Sequence, residues 1–257
     1  MNERQIFSKV GLDMFFIQLV WTFGFLGVVF VVNIVKLFLS GLQGNAVDGY
    51  FHHIYAVGNI YMLVIGIIAV SFLPHFVGNG VTRKDYFFGG VIATALLALA
   101  IPFITVIVSF IEKFILTMIG IQYKVQSMNE VMLDGNIIGD LVQLIIVAPY
   151  VEPKDDLFLS LSVLAINLFV YYILGWLIGT SFYRFDVGGG ILSVALAIGL
   201  KLSNDAFLRI VLDLPLIGWF QRLELLPESV ALIGIFVIIL VTFIAIRMMT
   251  KRVAIKL

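Results

Sequence analysis

The stretch Gly78-Asn79-Gly80-Val81-Thr82-Arg83-Lys84 is the nearest this chain comes to residues that could do chemistry by themselves. Glycines beside a lysine are the raw material of a phosphate loop, whose backbone N–H groups and lysine cradle phosphates. That loop needs G-x-x-x-x-G-K-S/T, and here the glycines and Lys84 stand at the wrong spacing. A second run, Gly188-Gly189-Gly190, leads into Ile191 rather than a lysine. The sequence therefore offers no ATP site. His52, His53 and His75 do not form H-E-x-x-H, and adjacent His52 and His53 diverge on a helix, so an ordinary interfacial pair accounts for them better than a metal site. The absence of cysteine removes disulfides, thiolate metal sites and cysteine nucleophiles. Ser109, Ser160 and Ser193 have no histidine or lysine at matching membrane depth, and no span centre holds an aspartate. Neither a serine-type nor an aspartyl-type intramembrane protease assembles from these residues. No catalytic residue and no metal site is nominated.

The elements that carry these residues are expected to be membrane spans. Of 257 residues, 61% are hydrophobic and 12% charged, with a mean hydropathy of +1.12. A soluble domain is nearer 45–50% apolar and about 25% charged, so lipid must solvate most of this surface. The net charge of zero gives no case for nucleic acid. A bilayer core about 30 Å thick takes roughly 20 apolar residues of helix. Six segments qualify: Phe15 to Leu37, Ile54 to Leu73, Phe87 to Ile111 with Pro102 inside it, Leu157 to Phe182, Val187 to about Leu200, and Val230 to Met249. The first is expected as a retained anchor rather than a cleaved signal. The expected fold is all-α: a polytopic membrane protein of six transmembrane helices in a single domain, multi-pass in the cell membrane.

Arg4, Lys9, Arg83, Lys84, Arg184, Arg247, Lys251, Arg252 and Lys256 fall on one side of this arrangement, in short turns and tails. The positive-inside rule makes that side cytoplasmic, with both termini on it. Residues 1–13 place Ile6, Phe7, Val10 and Met14 at helical spacing, which suits an interfacial amphipathic helix or an extension of the first span. Residues 112–156 form a long acidic outer loop holding Glu112, Glu130, Asp134, Asp140, Glu152, Asp155 and Asp156; within it Ile137 to Pro149 is apolar but too short to cross. Lys201, Asp205, Arg209 and Asp213 recur every four residues with alternating sign, a pattern for i, i+4 pairing. With Leu216 to Phe220 beyond Pro215, residues 201–229 are expected as an outer helical, re-entrant hairpin between the fifth and sixth spans.

The polar groups at the span centres, Gln18, Thr22, Asn59, Asn167 and Thr242, are uncharged. Ion-coupled transporters usually place ionisable groups there, so an apolar or amphipathic cargo suits this chain better; bonding between neighbouring helices explains Asn59 or Asn167 equally well. Gly175-Trp176-Leu177-Ile178-Gly179 is a G-x-x-x-G, which lets a second helix approach closely, within the chain or across a dimer seam. In the inner loop 74–87, Pro74 ends one span, and Thr82 with Asp85 can cap the next helix. The outcome is a short basic helix with aromatics on the cytoplasmic surface; a plain positive-inside anchor would look the same.

Gly80-Val81-Thr82-Arg83-Lys84-Asp85-Tyr86-Phe87, lying between the second and third expected spans, resembles the inner loop of permease subunits of ABC-2-type transporters. The expected layout of termini, amino-terminal helix, outer hairpin and basic tail is similar to that family as well. The resemblance implies a separate cytoplasmic ATPase that carries ATP and magnesium, a second permease chain, identical or related, and a coupling element at Thr82, Arg83, Lys84, Asp85, Tyr86 and Phe87. It implies no cofactor in this chain and no enzymatic activity of its own. The implied function is export of an amphipathic or hydrophobic substrate such as a peptide, drug or lipid-like molecule. The long acidic outer loop departs from the plainest members. The alternative is a non-transporting membrane sensor or immunity protein that binds a cationic peptide through that loop.

Overall fold

Hydrocarbon offers the backbone no hydrogen-bond partners, so long apolar runs close their N–H and C=O groups within helices. The computed structural model describes residues 3–43, 49–119, 148–153, 155–216, 218–223, 225–251 and 253. Its elements are α1 (Glu3–Gln43), α2 (Tyr50–Ala69), the short α3 (Phe72–Gly78), α4 (Arg83–Ile119), α5 (Leu157–Val211) and α6 (Glu228–Lys251), with a 3-10 turn at Gly218–Leu223. Large apolar side chains such as Val20, Phe23, Phe103, Ile107, Leu192 and Phe236 face outward, as a lipid-solvated surface requires. The chain is a multi-pass, all-α membrane protein.

The span count differs from the expectation. Among the described residues five helices, not six, are long and apolar enough to cross a membrane. The segments expected as the fourth and fifth spans are two arms of one helical element of 55 residues, α5. The basic stretch Tyr183-Arg184-Phe185 stays helical, and only Asp186 leaves the helix, at φ 55 and ψ −152. The arms nevertheless pack on each other. Val170, Leu174 and Ile178 cluster with Ala197, and the Lys201 ammonium lies 5.9 Å from the Tyr171 ring centre. A straight helix would hold residues 171 and 201 about 45 Å apart. Gly190 permits the reversal, since a Cβ there would run into the Phe182 ring.

Among the described residues the outer re-entrant hairpin is also absent. α5 continues to Val211, and the chain then passes through Asp213 at φ 52 to the six-residue 3-10 turn. Six residues of 3-10 helix advance only about 12 Å, too little to dip into a leaflet and return. Residues 3–13 form the first turns of a continuous 41-residue α1. Glu112, expected to begin the outer loop, is a buried residue of α4. Positions 120–147 of that loop, with Glu130, Asp134, Asp140 and most of the Ile137–Pro149 segment, lie outside the described residues.

α2 packs mainly on α5, α1 on α4, and α6 on α5. Trp176 of α5 is fully buried where these pairs meet. Its ring lies 6.0 Å from Tyr86 and 5.7 Å from Phe87, centre to centre, and Gly90 makes room for it on α4. The bundle has two distinct ends. Phe7 of α1 beside Phe88 of α4, and Arg184 of α5 on the last carbonyls of α6, mark the basic end. Asn33 of α1, Glu112 of α4 and Tyr50 of α2 meet at the other.

Candidate functional site

At the basic end the chain turns from α3 into α4 through two consecutive caps. Asn79 ends α3, and Gly80 follows at φ +84. Gly80 N donates to Val77 O at 3.1 Å and Val81 N to Phe76 O at 3.0 Å. This Schellman pair satisfies carbonyls the helix end would otherwise leave open. Thr82 then opens α4: its Oγ accepts from Asp85 N at 3.1 Å and donates to Asp85 Oδ2 at 2.6 Å. A turn closed on both sides in this way is stiff, and α4 carries it straight into the bundle.

The six sequence-predicted coupling residues divide by position. Thr82 and Lys84 are exposed, Arg83 and Asp85 half-buried, and Tyr86 and Phe87 buried. Tyr86 donates its hydroxyl to Ala69 O at 2.8 Å, which ties α4 to the end of α2. Phe87 lies under the Arg247 guanidinium, 5.5 Å from its ring centre. Arg83 donates to Val253 O at 3.0 Å, and Arg247 to Arg83 O at 3.1 Å. Arg184 donates to Met248 O at 2.7 Å and Met249 O at 2.9 Å. Arg184 thus satisfies two of the last carbonyls of α6, and Arg83 the Val253 carbonyl just beyond it, at the helix end where positive charge is favoured; Arg247 bonds the Arg83 carbonyl at the start of α4 instead. Lys84, with His75, Gly78, Asn79, Gly80 and Thr82, forms the outward corner.

Gly175 and Gly179 lie far from this corner's surface, in the seam between α5 and α2. A Cβ on Gly175 would stand 2.9 Å from the Leu63 carbonyl carbon, and one on Gly179 would stand 3.0 Å from that of Ile67. Gly66 of α2 fits against Tyr172 in the same seam. These glycines let the two backbones meet within the chain.

The opposite end holds a second group of polar residues, of which Asn33 and Tyr50 were not singled out in the sequence. Glu112 is 7% exposed. Asn33 donates to its Oε1, and Tyr50 N to its Oε2 at 2.8 Å. Gly49 supplies no side-chain cap for α2, so Glu112 reaches across from α4 to cap it. Around Glu112 opens a pocket of about 150 Å³, walled by Tyr50, Phe51, Phe110 and Tyr150, with Glu152 at its side. Deeper in, Tyr55 donates to Pro149 O, and Asn167 Nδ2 donates to Tyr55 at 3.0 Å. Lys201 pairs with Asp205 at 2.5 Å, and Arg209 donates to Pro215 O at 3.0 Å. All three charged residues are buried. The i, i+4 spacing announced the Lys201–Asp205 pair, but nothing in it indicated burial. Glu112 had a weaker signal: it is the acid that closes an apolar run.

Among the described residues, no three histidine, aspartate or glutamate side chains converge on a metal-sized site. No family, no curated protein and no solved structure matches the chain.

Proposed function

We infer that this chain is the membrane subunit of a transporter driven by a separate ABC-type ATPase, and that the corner from His75 to Asp85 is its docking surface. The observation that carries this reading is the doubly capped turn. It presents Lys84 outward from a 37-residue helix that runs the length of the bundle. A push on such a corner is transmitted as rigid-body tilt rather than absorbed locally. The concentration of Arg83, Lys84, Arg184, Arg247 and Lys251 at that end supports a cytoplasmic orientation by the positive-inside rule. In this reading ATP and magnesium bind the partner, a second permease chain completes the pathway, and the exported cargo is amphipathic or hydrophobic.

The test is purification of the tagged full chain from its native membrane, with co-purifying ATPase activity as the readout. The wild type retains a Walker-type ATPase; Lys84→Glu inserts normally and loses it. A chain that carries no ATPase, or a variant that keeps it, refutes the reading. The sensor alternative draws on the acidic pocket around Glu112 and Glu152. It predicts full function for Lys84→Glu.

A further inference from the structure

We propose that the pocket at the Glu112 end binds a primary ammonium or guanidinium group carried on a small apolar body. The inference stands apart from ATPase docking, which concerns the opposite end of the bundle.

The carboxylate is the first part of the argument. Both oxygens of Glu112 accept hydrogen bonds, from the Asn33 amide and the Tyr50 backbone N–H. The two donors fix the carboxyl group in place at the pocket wall, and each oxygen keeps a second lone pair for a further donor. Among the described residues, no lysine or arginine forms an ion pair with it; the nearby Lys36 instead contacts His53 Nε2 at 3.2 Å. Capping α2 explains why an acid sits here. It does not explain why that acid also lines an open pocket.

The walls are the second part. Tyr50, Phe51 and Tyr150 are all buried, and the Tyr150 ring is fixed by Phe51 at 6.3 Å and Tyr55 at 4.8 Å, centre to centre. Aromatic faces around an anion attract a cation and also receive its hydrocarbon. Two carboxylates, Glu112 and Glu152, line the pocket against one lysine, Lys113. Ser109 also lines it, and its buried hydroxyl has no hydrogen-bond partner. A bound ammonium has three donors, enough for both Glu112 and Ser109. The pocket's volume of about 150 Å³ admits a headgroup the size of phenethylammonium, not a folded partner.

The experiment titrates the full chain, in nanodiscs of zwitterionic phosphatidylcholine, with phenethylammonium and with neutral 2-phenylethanol, and reads the heat of binding. Phenethylammonium should bind saturably and at least about tenfold more tightly than the alcohol, the scale of one charge-assisted hydrogen bond. Glu112→Gln keeps an acceptor for Tyr50 N and should lose about that factor. Ser109→Leu fills the pocket without touching the α2 cap and should abolish binding. Should Glu112→Gln fail to fold, Ser109→Leu decides the matter. Equal binding of the alcohol, undiminished binding by Glu112→Gln, or retained binding by Ser109→Leu each overturns the proposal. A third titration, with N-acetyl-lysinamide, separates the sources of the cation: binding marks a peptide lysine as a natural form, and its absence beside phenethylammonium binding marks a free amine.

Discussion

Gly175 lies against the backbone of Leu63 so closely that a Cβ would stand 2.9 Å from the Leu63 carbonyl carbon and 3.0 Å from Ile67 N. The obstacle is main chain on both sides, which cannot swing away as a side-chain tip can. Gly175→Ala must therefore part α5 from α2 along the bundle's most extensive seam. Overpacking of this kind costs about 1–3 kcal/mol. Thermal unfolding in detergent should show a lowered midpoint. Gly199→Ala is the control, because nothing lies within 4 Å of its Cβ position; it should leave the midpoint unchanged or raise it, since alanine favours helix by about 0.5–1 kcal/mol.

The Lys201–Asp205 pair predicts an order among variants. Removing one partner from a buried pair costs about 3–5 kcal/mol, because it strands a charge. Asp205→Ala removes the carboxylate that Lys201 pairs with at 2.5 Å and also deprives Arg209, which lies within electrostatic reach of Asp205. Lys201→Met leaves Asp205 the company of Arg209. Asp205→Ala should therefore be the more destabilising in the same unfolding assay. The reverse order would mean that Arg209 does not share the aspartate.

These two cases mark the boundary of what the sequence could reveal. Runs of about 20 apolar residues have one comfortable fate in lipid, so α1, α2, α4 and α6 were legible. The reversal at Asp186 falls where the fourth and fifth segments were divided, between Phe182 and Val187, but the continuity of the helix was not legible, because Tyr183-Arg184-Phe185 has the charge of a loop and yet keeps its helical bonds. The G-x-x-x-G announced a close approach, but Leu63 and Gly66 as its counterpart depend on how helices distant in sequence pair. Glu112 was placed in the outer loop and the Lys201–Asp205 pair in an outer hairpin because charges beside apolar runs usually sit outside the packed bundle. Asn33, Tyr50 N and their own counter-charges make burial tolerable, and those partners lie on other elements or depend on which helix face turns inward. At the candidate docking corner the cap residues Thr82 and Asp85 were legible from local spacing. The inward turn of Tyr86 and Phe87 required Trp176.

Thr82→Ala should cost about 1 kcal/mol through the lost cap on α4, and Thr82→Ser should restore it. The neighbouring cations should separate cleanly. Lys84 is exposed, so Lys84→Glu should leave the unfolding midpoint unchanged and act only on ATPase retention. Arg83 holds Val253 O at 3.0 Å, so Arg83→Glu should lower the midpoint as well. Loss of stability in Lys84→Glu would show that its side chain is part of the fold and would disqualify it as a docking probe.

The absence of native cysteine makes orientation directly measurable with single substitutions. Lys84 stands at the start of α4 and Asp155 just before α5, both away from the packed core. The 37 residues of α4 separate the two ends by about 55 Å, more than a bilayer core. A membrane-impermeant maleimide applied to intact cells should therefore label the Asp155→Cys variant at once. The Lys84→Cys variant should react only after permeabilisation. Labelling of both from outside would contradict the two-ended bundle itself. The opposite polarity, with Lys84→Cys labelled first, would leave the fold standing but place the capped corner beyond the reach of any cytoplasmic ATPase. Because cysteine at position 84 removes a charge that counts in the positive-inside balance, the exposed Lys251→Cys variant provides a second probe of the same face, and it should agree.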